Sequence, residues 1–229
     1  RDVLGSRGLG DVYKRQAIWG YIADGLFTSQ DEIDDHAKQF GTVHVGDIKY
    51  RDLNDDGVID DYDKTVIGRG DVPRIYYGFG ADLQVGNFSI SALFQGNAQA
   101  DRYLDGISIK PFWDDEGRDN VFANITDRWS ADNPTNQDVF YPRLSVGSDG
   151  NNNNVKPSSW WVKDVSFLRL KQVNISYTLP KKWTDPLLIK NAQIYLMGTN
   201  LLTFSKFKLW DPELNTSNGT AYPNVSSYS

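Results

Sequence analysis

The chain has 229 residues, no Cys, a single Met and a formal net charge of -6 at pH 7. The lack of Cys excludes disulfide frameworks, thiolate zinc sites and Cys nucleophiles, and an acidic chain without clustered Lys and Arg is a poor partner for nucleic acid. With 13% aromatic residues and 20 Gly between short apolar runs, the composition is typical of a β-rich protein with long loops.

The first segment, residues 1–16, is interpreted as non-native. Its stretch SRGLGDVYKRQ departs from a nucleotide-binding loop, because Tyr13 takes the third glycine position and no apolar strand precedes it. The same stretch is the translation of a transposon-end adapter used for sequencing libraries, and such scars are excluded from fold reasoning. A native basic N-terminal arm is the alternative. The domain prediction is an adapter-derived segment at 1–16 and a genuine portion at 17–229.

An acidic stretch, DLNDDGVIDDYD, has the spacing of a calcium-binding loop. Carboxylate and amide oxygens recur at the positions that wrap one Ca²⁺, and Gly57 permits the sharp turn between them. The predicted ligands of this structural ion are Asp52, Asn54, Asp56, Val58, Asp60 and Asp63. The last position is usually Glu, whose side chain is longer than that of Asp63. A solvated acidic turn without an ion is the alternative.

Alternation of apolar and polar residues predicts four long strands. Period two extends over 74–84 and 88–97, which a tight turn joins as a hairpin. Further strands are predicted over 162–179 and 192–203, connected by a proline-opened helical turn. Within 162–179 the apolar positions change parity near Lys171, and one extra residue there, a β-bulge, restores a continuous apolar face.

The long connection between residues 98 and 161 contains side chains suited to a ligand. The predicted substrate-binding residues are Arg102, Tyr103, Trp113 and Asp114. Aromatic rings stack on sugars or grip peptides, and Arg and Asp fix polar groups. The alternative is that the aromatic side chains fill a small core of the loop itself.

Three further features are predicted in this connection. A short helix is expected over 116–134, with one apolar side. The run DGNNNN at 149–154 predicts a flexible loop tip. Trp160 and Trp161 are expected to belong to an aromatic girdle at a membrane interface.

The strand and loop lengths favour a membrane barrel. Each predicted strand matches the roughly 9 to 11 residues that cross a bilayer as a tilted strand, whereas no apolar run approaches the roughly 18 residues of a spanning helix. Short and very long connections alternate, as in outer-membrane barrels with brief periplasmic turns. The predicted fold class is all-β, a partial antiparallel transmembrane β-barrel with long extracellular loops. A soluble sandwich would bury the same apolar face, and periodicity alone does not separate the two.

Four blocks of sequence carry a family resemblance: GDIKYRDLNDDGVIDDYDKTVIG, YGFGADLQVGNFSISALFQG, FLRLKQVNISYTLP and GTNLLTFSKFKLWDPE. They resemble successive blocks near the C-terminus of SusC/RagA-like TonB-linked outer membrane proteins, the TonB-dependent nutrient importers of Bacteroidetes. The resemblance covers essentially all of 17–224 and implies the last strands of a plugged barrel of about 22 strands, with the final strand truncated.

The resemblance also implies a setting for the chain. It implies the outer membrane of a Gram-negative, Bacteroidetes-like cell, a SusD-like surface lipoprotein as partner, and an oligosaccharide or a peptide as substrate. The energising TonB complex would act through an N-terminal region that is missing here.

Two functional classes remain after this reading. The favoured one is TonB-energised import of glycans or peptides across the outer membrane, and the alternative is a secreted, calcium-stabilised β-sandwich that binds carbohydrate. No enzyme is predicted, because His36 and His44 are isolated and no HExxH or GxSxG motif accompanies them.

Overall fold

The computed structural model describes residues 17–70, 72–106, 109–112, 123–146 and 152–213. Two compact units are present: the first combines residues up to Val72 with Asp101–Lys163, and the second combines Pro73–Ala100 with Asp164–Glu213. The predictions made for 1–16, Trp113 and Asp114 lie outside the described residues.

The described elements are mostly strands, so the all-β prediction is confirmed. In chain order the strands are β1 (Ile18–Gly20), β2 (Ala23–Leu26), β3 (Ile48–Tyr50), β4 (Thr65–Gly68), β5 (Ile75–Val85), β6 (Phe88–Ala98), β7 (Asp101–Tyr103), β8 (Val162–Asp164), β9 (Phe167–Thr178) and β10 (Gln193–Ser205). The helices are α1 (Gln30–Asp34) and α2 (Lys181–Thr184). Short 3-10 turns are formed at Asp61–Asp63, Ala123–Thr126, Ser159–Trp161 and Asp185–Leu187.

The second unit is built around a four-stranded antiparallel sheet of order β10-β9-β6-β5. Its pairing brings the alternating apolar positions onto one surface, the apolar face. The rows of this face, each given from β5 to β10, are Tyr77, Gly96, Leu168 and Phe204; Phe79, Phe94, Leu170 and Leu202; Ala81, Ala92, Val173 and Gly198; Leu83, Ile90, Ile175 and Leu196; and Val85, Phe88, Tyr177 and Ile194. Most of its large side chains are exposed, for example Leu83 at 61% and Leu196 at 70%.

The opposite surface, the polar face, carries hydrogen-bonding and charged side chains. Three of its rows include Gln95, Arg169 and Thr203; Asp82, Ser91 and Asn174; and Gln84, Ser89 and Ser176. Leu93 is the one apolar residue that breaks the alternation of β6, as the sequence indicates. The apolar surface therefore extends across all four strands, whereas the opposite surface is mainly polar and includes Met197 and Tyr195 of β10 beside Asn174 and Ser176.

A bulge in β9 makes the apolar face continuous. Leu93 of β6 pairs with Gln172, but the next residue, Phe94, pairs with Leu170, so Lys171 is the extra residue between them. The β-bulge predicted near Lys171 is confirmed. Without it, the apolar residues on the two sides of the bulge would lie on opposite faces, because successive side chains of a strand alternate.

The two short connections lie at the same end of the strands, called the short-connection end of the sheet. One is the tight turn from β5 to β6, and the other joins β9 to β10 through α2 and the 3-10 turn Asp185–Leu187, which confirms the predicted helical turn. They are in contact, because the Thr178 backbone N–H donates to the Asn87 carbonyl at 2.8 Å. At the opposite end of the strands the chain leaves the sheet after Ala98 and returns to it only at Phe167.

The first unit has short strands and an aromatic core. β1 pairs with β4, β2 with β3, and β7 with β8. Its buried apolar side chains are Tyr21, Leu26, Phe27, Ile48, Tyr50, Ile59, Leu104, Ile109, Tyr141 and Trp161. The ring of Tyr21 packs against those of Phe40 and Tyr50, with centroid distances of 5.0 and 5.5 Å.

Asn153 and Asn154 are buried in the first unit, which corrects the loop-tip prediction for 149–154 in its described part. Asn154 accepts from the backbone N–H of Ile48 at 2.9 Å and donates to the Asp47 carboxylate at 2.8 Å. Asn153 donates to the Ile48 carbonyl at 2.6 Å. The two amide side chains therefore bond to β3 and its preceding residue as a neighbouring strand would, which satisfies polar groups that water cannot reach.

Other predictions for the long connection also need correction. Trp161 is 2% exposed and its indole N–H donates to the Asn154 carbonyl at 2.9 Å, so it is a core residue of the first unit and not part of a lipid-facing girdle. In the described part of 116–134 the helical content is limited to the 3-10 turn Ala123–Thr126. The strand predicted over 162–179 is interrupted between β8 and β9.

No helix in the described part of the chain combines the length and the apolar character that a membrane crossing requires.

Candidate functional site

The predicted calcium loop follows β3 and ends in the 3-10 turn Asp61–Asp63. The Asp52 carboxylate closes the first half of the loop by accepting from the backbone N–H groups of Asn54 at 3.2 Å, Asp55 at 2.7 Å and Gly57 at 2.7 Å. Asp55 and Gly57 have positive φ angles of 59° and 83°, which let the chain turn around this carboxylate. Such tight wrapping by Asp side chains and left-handed residues is typical of polar turns.

The second half of the loop is held by a reciprocal cap. Asp63 accepts from the backbone N–H of Asp60 at 2.8 Å, and Asp60 accepts from the backbone N–H of Tyr62 at 2.8 Å. The other Asp63 oxygen accepts from the Leu53 backbone N–H at 2.7 Å, which ties the end of the loop to its beginning. Asp52 and Asp63 thus hold the loop in a closed shape.

The donor set of this loop fits a hard cation in charge and type. The Asp63 side chain is 0% exposed, and within the described residues its partners are backbone N–H groups with no Lys, Arg or His ion pair. A buried carboxylate is costly unless a cation or strong hydrogen bonds compensate it. Among the described residues no group of three or more His, Asp or Glu is already arranged as a metal site. The predicted set also depends on Asn54 and on the carbonyl of Val58.

The ionisation of Asp52 suits a cation ligand. Desolvation is the largest single influence and raises the pKa of its carboxyl, but the backbone N–H groups of Gly57, Asp55 and Asn54 together outweigh it and lower the pKa. Hydrogen bonds to the charged form favour that form. The carboxylate is therefore ionised at neutral pH, as calcium coordination requires.

The predicted substrate-binding residues that the structure describes are neighbours on β7. Arg102 is 8% exposed, so little of its side chain reaches solvent. Tyr103 is half-buried and its hydroxyl accepts from the Lys110 ammonium at 2.9 Å. Because the two residues are consecutive on β7, their side chains point to opposite sides of the strand, and Trp113 and Asp114 lie outside the described residues. Ligand contact by the set stays a prediction.

Sequence reasoning missed a buried lysine beside Tyr103. Lys110 is 4% exposed and donates to the Asp105 carboxylate at 2.7 Å and to the Val155 carbonyl at 3.0 Å. Its ammonium also lies 5.5 Å from the ring centroid of Trp161. Desolvation lowers the pKa of Lys110, although Asp105 partly opposes this effect, and desolvation raises the pKa of Tyr103. A lone Lys in a polar loop carries no signal in the sequence that would mark it as buried.

The chain is similar in sequence to two TonB-dependent receptors. It is 36% identical over 189 residues to TonB-dependent receptor P26 of Formosa agariphila, covering 82% of this chain and 18% of that protein. It is 27% identical over 225 residues to TonB-dependent receptor P3 of the same organism, covering 93% of this chain and 21% of that protein. No family model matches the chain.

Solved structures of the RagAB peptide importer are similar in fold. The open-open state matches with a TM-score of 0.58 and 20% identity, covering 85% of this chain and 19% of that chain. The closed-closed state matches with a TM-score of 0.57 and the same identity. The chain thus spans about a fifth of the length of the proteins that it matches. These matches confirm the resemblance carried by the sequence blocks, and the chain is homologous to one segment of the TonB-dependent receptors.

Proposed function

We propose that this chain forms part of an outer-membrane receptor that imports nutrients with energy from a TonB complex. The observation that supports this function most strongly is the apolar face of the second unit, which is continuous over four strands and exposed. An exposed apolar surface of this size requires a non-aqueous neighbour. Lipid on the apolar face and water on the polar face match the two surfaces of a membrane barrel.

The secreted β-sandwich is less well supported. A sandwich packs the apolar faces of two sheets against each other at a separation of about 10 Å. In the described second unit the four long strands form a single sheet, and residues such as Leu83 and Leu196 remain exposed. The named relatives are receptors and importers, which also favours transport over carbohydrate binding alone and over catalysis.

Two adjacent residues of β6 provide the test. Ser91 lies on the polar face and Ala92 on the apolar face. The chain contains no Cys, so Ser91→Cys and Ala92→Cys can each carry a nitroxide spin label in the complete receptor, once any Cys elsewhere in it is replaced. In lipid vesicles, we expect the label at 92 to be relaxed by oxygen dissolved in the bilayer and the label at 91 by a water-soluble nickel complex. A label at 92 that neither reagent reaches would indicate a dry core and contradict the proposal.

We infer the partner and the substrate class from the relatives and from the sequence resemblance. We expect a SusD-like lipoprotein to accompany the complete receptor, and the RagAB structures, which are described as a peptide importer, make peptides the first substrate class to examine. Oligosaccharides are the second class. Mass spectrometry of ligands released from the purified receptor distinguishes the two, and a receptor that retains neither a ligand nor a lipoprotein would count against both.

We also propose that the loop from Asp52 to Asp63 binds a structural Ca²⁺. The buried Asp63 carboxylate and the closed shape that Asp52 imposes support this site. Extracellular calcium modules bind with dissociation constants of about 10⁻⁴ to 10⁻³ M. We expect calorimetric titration of the complete receptor to detect one such site.

A matched pair of variants tests the calcium site. Asp63→Asn removes the buried charge and should abolish the calcium heat. Asp61→Asn removes a neighbouring charge that is exposed and paired with Lys64 at 2.7 Å, and it should leave the heat unchanged. Absence of calcium heat in the unmodified receptor, or equal loss in both variants, would refute the site.

A further inference from the structure

The connection from β9 to β10, residues 180–191, differs in charge from the rest of the chain. Its sequence PKKWTDPLLIKN contains three Lys and one Asp, in a chain whose formal net charge is -6. Lys181, Lys182 and Lys190 are all exposed, and none of them forms an ion pair with another described residue. Unpaired positive charge is thus concentrated at the short-connection end of the sheet.

A cleft of about 370 Å³ lies at this end of the sheet. Lys181 and Lys190 contribute to its lining, together with Asn87 and Asn191. The lining contains no Asp or Glu. The two ammonium groups bring positive charge and hydrogen-bond donors to the lining, and the Asn191 amide can add a further donor, whereas the Asn87 amide already donates to the Thr178 carbonyl at 2.7 Å. Ammonium groups of this kind bind a phosphate group.

Leu188 in the same connection occupies a position after a helical turn where Gly is usual. The Leu188 N–H donates to the Asp185 carbonyl at 3.0 Å and the Ile189 N–H donates to the Thr184 carbonyl at 3.2 Å, the paired bonds of a Schellman motif. Leu188 occupies the left-handed position of this motif with φ of 58°, where Gly is usual. Its side chain is 93% exposed. A leucine that strains the backbone and meets only water gains nothing in an aqueous setting.

Two other exposed apolar residues accompany Leu188. Trp183 is 56% exposed and Ile189 is 41% exposed. Trp together with Lys is typical of the boundary between membrane and water, where the ring lies at the level of the headgroups and the ammonium reaches phosphate. In outer-membrane barrels the short turns face the periplasm, so this boundary would belong to the periplasmic leaflet.

We propose that the connection 180–191 binds one anionic phospholipid of the periplasmic leaflet. Lys181 and Lys190 hold the headgroup phosphate in the cleft, and Leu188 with Trp183 contacts the acyl region beside it. This inference depends on the proposed placement in the outer membrane. Free phosphate would account for the cleft but not for Leu188, whereas a phospholipid accounts for both.

The test measures retention of phosphatidylglycerol by the complete receptor in detergent, with native mass spectrometry over a lipid titration. The double variant Lys181→Gln with Lys190→Gln should weaken retention about thirtyfold, because it removes two positive charges near the phosphate. The matched control is Lys206→Gln with Lys208→Gln, two exposed Lys beyond the other end of β10 without ion pairs among the described residues. The control should retain the lipid as the unmodified receptor does. Equal weakening in both variants, or none in either, would overturn the proposal.

A second variant separates the lipid from free phosphate. Leu188→Gly relieves the backbone strain and removes the apolar side chain, so we expect weaker retention of phosphatidylglycerol in a receptor that is no less stable. Inorganic phosphate at millimolar concentration should fail to displace the lipid. Full displacement by phosphate, or unchanged retention in Leu188→Gly, would assign the cleft to free phosphate and refute the lipid.

The proposed function fails in a different way from this inference. A receptor that is absent from the outer membrane, or whose spin label at 92 is buried, would contradict the proposed function. A correctly assembled receptor in which all variants retain phosphatidylglycerol equally would contradict only the lipid site.

Discussion

The Asn154 side chain forms more hydrogen bonds than its place in a run of asparagines suggests. Its side chain accepts from the Ile48 N–H and donates to the Asp47 carboxylate and the Arg143 carbonyl. Asn154→Ala removes this partner from the Ile48 N–H of β3 and from the Arg143 carbonyl, and a buried polar group left unpaired costs about 1–3 kcal/mol. We expect the free energy of local opening at Ile48 to fall by about 2 kcal/mol, measured by amide hydrogen exchange of the complete receptor. Asn152→Ala, at an exposed neighbour, is the control and should leave Ile48 protected.

The burial of Asn154 and of Lys110 could not be predicted from the sequence alone. The run of asparagines indicates a turn or a loop, because Asn side chains commonly bond to nearby backbone. Two of the partners of the Asn154 side chain are instead about a hundred residues away along the chain, Ile48 by 106 positions and Asp47 by 107. Lys110 is a similar case, since its burial depends on Tyr103, Asp105 and Val155 meeting around it. The pattern of the proposed calcium loop can be read from the sequence because all its members are local.

Glu32 is expected to make the start of α1 sensitive to acid. Its carboxylate accepts from the backbone N–H of Thr28 at 2.8 Å and from the Thr28 hydroxyl at 2.9 Å, and it pairs with Lys49. Desolvation raises its pKa, but the bonds from Lys49 and Thr28 outweigh desolvation and lower the pKa below its usual value. A lowered pKa in the folded state stabilises above the unfolded pKa of about 4.3, and this contribution is lost as pH falls through the lower folded value.

The measurement for Glu32 is exchange protection of the Thr28 amide, corrected for the intrinsic rate at each pH. Protection should be constant from pH 7 to about pH 5 and should then decline as the pH falls further. In Glu32→Gln the protection should be lower at neutral pH and should no longer change with acid. Asp31→Asn, which removes an exposed acidic charge from the same turn of α1, is the control and should leave the acid response in place. An unchanged acid response in Glu32→Gln would show that another group is responsible.

At the scale of elements, the bulge at Lys171 determines which side chains β9 presents to each face. Deleting Lys171 would move Val173, Ile175 and Tyr177 to the polar face if the pairing of the first half of β9 were kept. We expect the deletion to prevent assembly of the complete receptor, measured by heat-modifiable migration on gels and by the amount in the outer membrane. Lys171→Ala keeps the residue count and should assemble. Normal assembly of the deletion variant would mean that register is fixed elsewhere.

The sequence predicted this bulge because parity can be read directly from the order of side chains. It did not predict the irregularity on the other side, where Asn200 and Leu201 of β10 lie between the pairs that flank Lys171. Asn200 has φ of 53°, a conformation that Asn adopts more readily than most residues. The break between β8 and β9 was also missed, since β8 pairs with β7 and pairing is not encoded in local alternation.

At the scale of the whole molecule, the sheet of the second unit has two open edges. In the described part of the chain β5 and β10 each pair with one neighbour, so each leaves a row of backbone groups without a strand beside it. In lipid such an edge is not tolerated, because no water is present to satisfy it. In water an unprotected edge is a template for association with other chains. The matched relatives are about five times longer than this chain, which is consistent with further strands beside both edges.

The final prediction concerns residues 17–229 expressed alone. In water these residues expose both the edges of the sheet and the apolar face, on which Phe79, Val85 and Ile194 are each more than half exposed. Edge pairing and hydrophobic association act together, so we expect aggregation rather than a cooperative monomer. Light scattering and size exclusion measure this outcome. Detergent micelles should cover the apolar face and reduce the aggregates, while added salt alone should not. A monodisperse fragment with a single cooperative unfolding transition in buffer would show that the apolar face has a protein cover, and it would favour the sandwich over the receptor.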